Sequence, residues 1–216
     1  MFASIRRHRL QRGSMDDLAR RVDDGFAEEI SRQPGFVAYE FIDCGDGEIM
    51  TLSIFRDAEQ AEASRELAQR WAEENVRDLE FTRRDAMRGE ILVSRAAEHM
   101  LEPAHAGAAG RFASVRCYAL RSGSVAELMH IDDGAFADRI AEMDGFEAYH
   151  ALDCGGGEVA SVSLFRDRPA AEEADELALQ FVRRELGEFD IERTEVIGGE
   201  VLVSRAMAEL LEPAHA

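Results

Sequence analysis

The sequence predicts an α+β fold built from two tandem ferredoxin-like domains of order βαββαβ, and three observations carry that prediction. First, the chain is written twice. Shifted over itself by about 110 residues without a gap, it superposes Phe2-Ala3-Ser4 on Phe112-Ala113-Ser114, Asp43-Cys44-Gly45 on Asp153-Cys154-Gly155 and Phe55-Arg56-Asp57 on Phe165-Arg166-Asp167. Roughly two positions in five are identical, and both copies end in Leu-Glu-Pro-Ala-His-Ala. Second, strand-like and helix-like apolar periods alternate in the same order in each copy. Third, the 216 residues are 46% apolar, so each half has the size and composition to bury a core of its own. The expected division is a first repeat over 1–106, a linker over 107–110 and a second repeat over 111–216.

Residues 2–10 read as a strand ending before Gly13. Ser14 with Asp17, and Ser124 with Glu127, place a capping hydroxyl three residues ahead of an acid and start a helix. Leu18, Val22, Phe26 and Ile30 then recur at a spacing of four, one apolar stripe. In the second copy Val22 becomes Asp132, and Ile131 beside it is expected to take over the burial. Pro34-Gly35 and Asp144-Gly145 stop this helix. A strand over 36–43, the turn Cys44-Gly45-Asp46-Gly47 and a strand over 48–56 make a hairpin. Asp57 starts a second helix running to about Val76, with Leu67 and Trp71 aligned on Leu177 and Phe181. Residues 79–87 fit neither period and receive no assignment. Residues 90–94 supply the closing strand, 96–101 a short helix, and Gly107-Ala108-Ala109-Gly110 the linker. This order gives a four-stranded antiparallel sheet with both helices on one face. The strand at 49–55 is apolar on both parities, so its other face also needs cover. The second copy, with the same bare face, is the expected cover: an internal pseudo-dimer, as a monomer or as a homodimer of whole chains.

Composition narrows the function. A formal charge of −19 repels phosphate backbones and anionic lipid, so neither nucleic acid nor membrane is an expected partner. All 25 basic residues are arginine, which excludes lysine Schiff-base chemistry. Cys44, Cys117 and Cys154 form no C-x-x-C pair, no stretch reaches the ~20 apolar residues of a membrane span, and the first residues lack a signal-peptide core. A cytoplasmic, acidic protein is the expectation.

The run Gln33-Pro34-Gly35-Phe36-Val37-Ala38-Tyr39, then Leu52-Ser53-Ile54-Phe55-Arg56-Asp57 and the helix after it, resembles the antibiotic-biosynthesis-monooxygenase (ABM) domain family, and both copies carry the pattern. The resemblance implies the dimeric α+β barrel fold, here formed within one chain. It also implies a ligand cleft between sheet and helices in each copy. It further implies either a cofactor-independent monooxygenase acting on a small, flat organic metabolite or a non-catalytic binding or scaffold module of the same fold, with no cofactor in either case. In the heme-degrading branch of similar proteins, an Asn and a Trp of the cleft would fall at Arg6 and Phe55, and the ligand histidine on the second helix. Neither copy has a histidine there, so heme degradation of that type is not expected.

The candidate ligand-binding residues are Arg6, Tyr39, Ser53 and Phe55 in the first copy and Arg116, Tyr149, Ser163 and Phe165 in the second. An arginine in a strand covered on both faces needs an anionic partner, either a ligand's carboxylate or phenolate or an internal acid. Thr51, Ser53 and Phe55, copied as Ser161, Ser163 and Phe165, share one strand face and suit either a flat ligand with polar handles or ordinary packing. Tyr39 and Tyr149 suit proton donation or anchoring of the core edge. No histidine cluster suggests a metal, and the catalytic residues stay unassigned. The first strand also separates the halves: Arg6-Arg7-His8-Arg9 becomes Arg116-Cys117-Tyr118-Ala119, so one cleft can work while the other supports it.

Overall fold

The computed structural model describes residues 1–107 and 110–216; Ala108 and Ala109 of the expected linker lie outside the described residues. Eight strands form in chain order: β1 (Phe2–Arg12), β2 (Phe36–Gly45), β3 (Glu48–Phe55), β4 (Glu80–Ala96), β5 (Phe112–Ser122), β6 (Phe146–Gly155), β7 (Glu158–Phe165) and β8 (Asp190–Ala206). Their hydrogen-bonded order is β1-β3-β2-β8-β5-β7-β6-β4. The described residues contain no helix long and apolar enough to cross a membrane.

The chain divides into two compact units: Met1–Arg88 with Leu101–Gly110 and Gly199–Leu210, and Gly89–Met100 with Arg111–Gly198 and Leu211–Ala216. Their bounds differ from the sequence repeats because β4 and β8 each leave one unit and end in the other. Within unit 1, Ala38 to Asp43 of β2 pair with the last residues of β8, Ala206 to Glu200. Within unit 2, Ala148 to Asp153 of β6 pair with the last residues of β4, Ala96 to Glu90. The expected closing strand at 90–94 therefore completes the sheet of the other unit. Of residues 79–87, unassigned from the sequence, 80–87 belong to the first half of the same long strand. Their side chains are mostly exposed on both faces, which erases the period-two signal.

In unit 1, β1 and β3 pair antiparallel from Phe2↔Phe55 to Arg9↔Glu48, and β2 and β3 from Phe36↔Phe55 to Gly45↔Glu48. The hairpin turns on two residues, Asp46 at φ 53° and Gly47 at φ 76°, the left-handed pair that a two-residue turn needs. Helix α1 (Met15–Arg21) starts at Ser14, whose hydroxyl accepts from the Asp17 N–H at 3.5 Å. A π-helical turn (Val22–Phe26) joins it to α2 (Ala27–Ser31), and α3 (Ala58–Asn75) starts at Asp57, which accepts from Gln60 N–H at 2.8 Å. The expected first helix is thus one helix interrupted by a π turn. Unit 2 repeats the plan with α4 (Val125–Ile131), a π turn (Asp132–Ala137), α5 (Asp138–Ala141) and α6 (Arg168–Glu185).

The Pro-Ala-His-Ala tails fasten onto the π turns. In unit 1 the Asp23 carboxylate accepts from Arg205 at 2.6 Å, from the Ala106 N–H at 3.0 Å and from His105 Nδ1 at 3.1 Å. Burial opposes its charge, but these three donors hold its pKa below the usual carboxylate range. Asp133, Arg95, His215 and the Ala216 N–H repeat the arrangement in unit 2.

Candidate functional site

The four-residue stripe of the first helix and the face of α3 that meets it leave a gap above β1, β2 and β3 in unit 1. The gap is a cavity of about 230 Å³, lined by Leu18, Val22, Phe26 and Ile30 from the first helix, by Ser64, Ala68, Trp71 and Ala72 from α3, and by Tyr39, Phe41, Ile49 and Thr51 from the sheet. Arg6 and His8 from β1, with Val76 and Phe81, complete the wall. Strand register explains the polar side: Arg6 stands opposite Thr51 and His8 opposite Ile49, so side chains two apart on each strand face the same space. The aromatic wall is tight, with Phe26 edge-on to Tyr39 at 5.2 Å and tilted against Trp71 at 5.4 Å.

Arg6 is half-buried and donates to Ser53 Oγ at 3.2 Å. Burial lowers the pKa of its guanidinium; Tyr39 and Glu62 act the other way, and Arg83 and Arg65 add to the lowering. Burial, then Arg83 and Arg6, lowers the His8 pKa and favours the neutral imidazole. Tyr39 is 3% exposed, and its hydroxyl pKa is raised by that burial. Among the described residues this hydroxyl makes no hydrogen bond.

Unit 2 uses the equivalent positions differently. Its space is about 40 Å³, lined by Tyr118, Asp132, Phe136, Tyr149, Phe181 and Val182 among others. Tyr118 replaces His8, Met129 replaces Ala19, Val182 replaces Ala72 and Leu186 replaces Val76, each adding volume at the wall. Arg116 is fully buried: its Nε donates to Asp175 at 2.7 Å, and its Nη2 reaches Asp175 at 2.6 Å and Ser163 Oγ at 3.0 Å, while its Nη1 is buried without a partner among the described residues. Tyr149 donates to Asp132, whose carboxyl burial pushes up to about 7.

The sequence-selected residues thus fall into four groups, one of them Arg116 alone, buried against Asp175 and on neither cavity wall. Arg6 and Tyr39 line the larger cavity and Tyr149 the smaller one. Ser53 and Ser163 sit one layer behind, as hydroxyl partners of the arginines. Phe55 and Phe165 are fully buried and lie edge-on to Phe36 and Phe146 at 5.9 Å, away from both cavity walls. Sequence reasoning passed over Trp71 as a cavity residue because its helical stripe reads as core, and Asp132 because Ile131 was expected to take its burial. Ile131 is only partly buried, while Asp132 is 7% exposed. Burial pushes the thiols of Cys44 and Cys154 up to about 11 and 12, which suppresses thiolate chemistry. Among the described residues no three His, Cys, Asp or Glu side chains could hold a metal ion.

Neither a protein-family model nor a curated protein matches the chain. Solved structures do. A putative monooxygenase from Fusobacterium nucleatum superposes with a TM-score of 0.70 at 6% identity, over 95% of this chain and 94% of its own. A putative monooxygenase from Lactobacillus acidophilus does so with 0.62 at 10% identity, over 99% and 98%. An anthrone oxidase-like protein follows with 0.56 at 14% identity, over 100% and 96%. A heme-binding protein from Thermus thermophilus has the same fold, with a TM-score of 0.58 at 9% identity. At these identities the likeness shows the fold alone, a mixed α+β fold of the dimeric α+β barrel type.

Proposed function

We propose that the unit 1 cavity binds a small, flat organic molecule and that the protein acts on it as a cofactor-independent oxygenase of the ABM type. On this reading the chain is a tandem duplication of one ABM-like domain, working in the cytoplasm as a single chain or a dimer of chains. The observation that carries the reading is the cavity: about 230 Å³ between sheet and helices, walled by Phe26, Phe41, Trp71 and Phe81, with Arg6, His8, Tyr39 and Thr51 on the sheet side.

An oxygenase without metal or flavin needs an electron-rich substrate made richer by losing a proton, with water kept away from the resulting anion. The aromatic walls hold a flat ring and exclude water. His8, favoured as neutral imidazole, is the wall group suited to accept the proton, while the Arg6 guanidinium stabilises the negative charge that develops. Tyr39 and Thr51 offer hydroxyls to orient the substrate. A heme-dependent reaction is a poorer fit, because α3 and α6 carry no histidine.

Oxygen uptake tests the reading. Purified protein incubated with a panel of hydroxylated aromatic compounds is expected to consume O₂, and His8→Ala to lose at least ~100-fold in rate. Binding without uptake, unchanged by His8→Ala, favours the alternative of a non-catalytic binding module.

A further inference from the structure

We infer that the resting ligand of the unit 1 cavity is itself an organic anion, an aromatic carboxylate seated on Arg6, and that each chain holds one such site. The inference rests on the cavity reading above and adds the ligand's charge and the stoichiometry.

The two units answer the same electrostatic question in opposite ways. Each carries an arginine at the equivalent point of its first strand, Arg6 and Arg116. In unit 2 the facing position on α6 is Asp175, which binds Arg116 through two nitrogens and takes a third bond from Ser114 Oγ at 2.8 Å. The charge is paired internally, and Arg116 is not on the wall of the small space of that unit. In unit 1 the position equivalent to Asp175 is Arg65, so the partner has not merely been lost but has changed sign. Among the described residues no carboxylate lies within ion-pair distance of Arg6, whose one hydrogen bond goes to a neutral hydroxyl. The acid acting on it, Glu62, is already held by Arg65 at 2.6 Å and Arg88 at 3.2 Å.

A guanidinium half-buried against an apolar cavity has given up part of its hydration, and a chain with a charge of −19 has no shortage of acids to place beside it. Instead the sequence surrounds Arg6 with Arg65 and Arg83. That arrangement stabilises an incoming negative charge and leaves a neutral ligand with nothing to compensate. The planar fork of Arg6 suits two oxygens of a carboxylate. The volume beside it suits one or two rings.

Trp71, the chain's single tryptophan, lies on the cavity wall and reports occupancy by its fluorescence. Titration with 4-nitrobenzoate and with its neutral counterpart 4-nitrobenzamide, both quenchers of indole emission, separates charge from shape. The wild-type protein is expected to bind 4-nitrobenzoate at least ~10-fold more tightly than the amide, at one per chain. Arg6→Gln should erase that preference. Arg65→Asp, at an exposed helix position, supplies unit 1 with the counter-charge of unit 2 and should erase it too, with an unaltered melting temperature showing that the fold persists. Equal affinity for the two probes in the wild type, or a preference that survives Arg6→Gln, overturns the inference and leaves the cavity reading standing. Quenching by neither probe overturns both.

Discussion

Tyr149 donates its hydroxyl to Asp132 across 2.9 Å in the small space of unit 2, whereas Tyr39, its counterpart, lies on a wall that has Val22 at the place of the acid. The carboxyl is 7% exposed, and burial outweighs the tyrosine's hydrogen bond and lifts its pKa to about 7. The folded protein therefore keeps a proton on Asp132 that the unfolded chain releases above about pH 4. Folding stability falls as pH rises from about 4 to about 7 and levels off beyond, by on the order of 4 kcal/mol. Asp132→Asn keeps the shape and the acceptor but cannot ionise. It is expected to gain several kcal/mol over the wild type at pH 8 and little at pH 4, measured by chemical denaturation at the two pH values.

His150 has the opposite sign. Burial lowers its pKa to about 4, and its Nδ1 lies 3.0 Å from the hydroxyl of Ser94, itself fully buried. The unfolded chain takes up a proton near pH 6.5 that the folded protein refuses until about pH 4. Stability is therefore fully present above pH 6.5 and is lost on acidification through that window, by on the order of 3 kcal/mol. His150→Gln should remove this acid sensitivity, so that at pH 4.5 the variant sits closer to its pH 7 stability than the wild type does. A stability curve flat between pH 6.5 and 4 in the Asp132→Asn variant, with His150 intact, contradicts the assignment.

Much of this frame was legible in the sequence. The helix starts at Ser14, Ser124 and Asp57 were readable because a capping side chain precedes an apolar stripe, and all four residues of the Leu18 to Ile30 stripe line the cavity. The exchange of strands was not, since hydrogen-bond partners leave no local trace when both repeats offer the same edge. Residues 80–87 were opaque for a different reason: exposure on both faces removes alternation. The cavity itself depends on differences between repeats, such as Ala72 against Val182, that mean nothing until the walls are assembled. Arg6 and Arg116 look alike in sequence. Only the facing helix, with Arg65 in one unit and Asp175 in the other, separates a satisfied charge from an open one.

The volume difference makes its own prediction. Ala72→Val with Val76→Leu copies the wall of unit 2 into unit 1 and fills part of the 230 Å³ cavity with about three methylene equivalents. In the absence of ligand the double variant is expected to be more stable than wild type by about 1–2 kcal/mol, because apolar groups replace empty space. The same change should weaken binding of 4-nitrobenzoate at least ~10-fold through loss of room, with Arg6 untouched. Calorimetric melting and Trp71 quenching read the two effects separately, and a variant that gains stability while binding as before places the ligand elsewhere.

The strand exchange depends on two glycines. A Cβ on Gly199 would lie 2.4 Å from the Asp43 carbonyl oxygen and 2.7 Å from Ile42 Cγ2, and one on Gly89 would lie 2.4 Å from the Asp153 carbonyl oxygen. Both meet the backbone of the strand that β8 or β4 joins in its second unit, and backbone within a paired sheet cannot move aside cheaply. Gly199→Ala and Gly89→Ala are each expected to destabilise by about 2–3 kcal/mol, in the range of core overpacking. Gly134 supplies the control. It lies in the π turn of unit 2 with nothing within 4 Å of its added Cβ, so Gly134→Ala should gain up to about 1 kcal/mol from the lower entropy of the unfolded chain. Denaturant midpoints that move together for all three substitutions would show that general helix and strand propensity, rather than the close approach of the exchanged strands, sets the response.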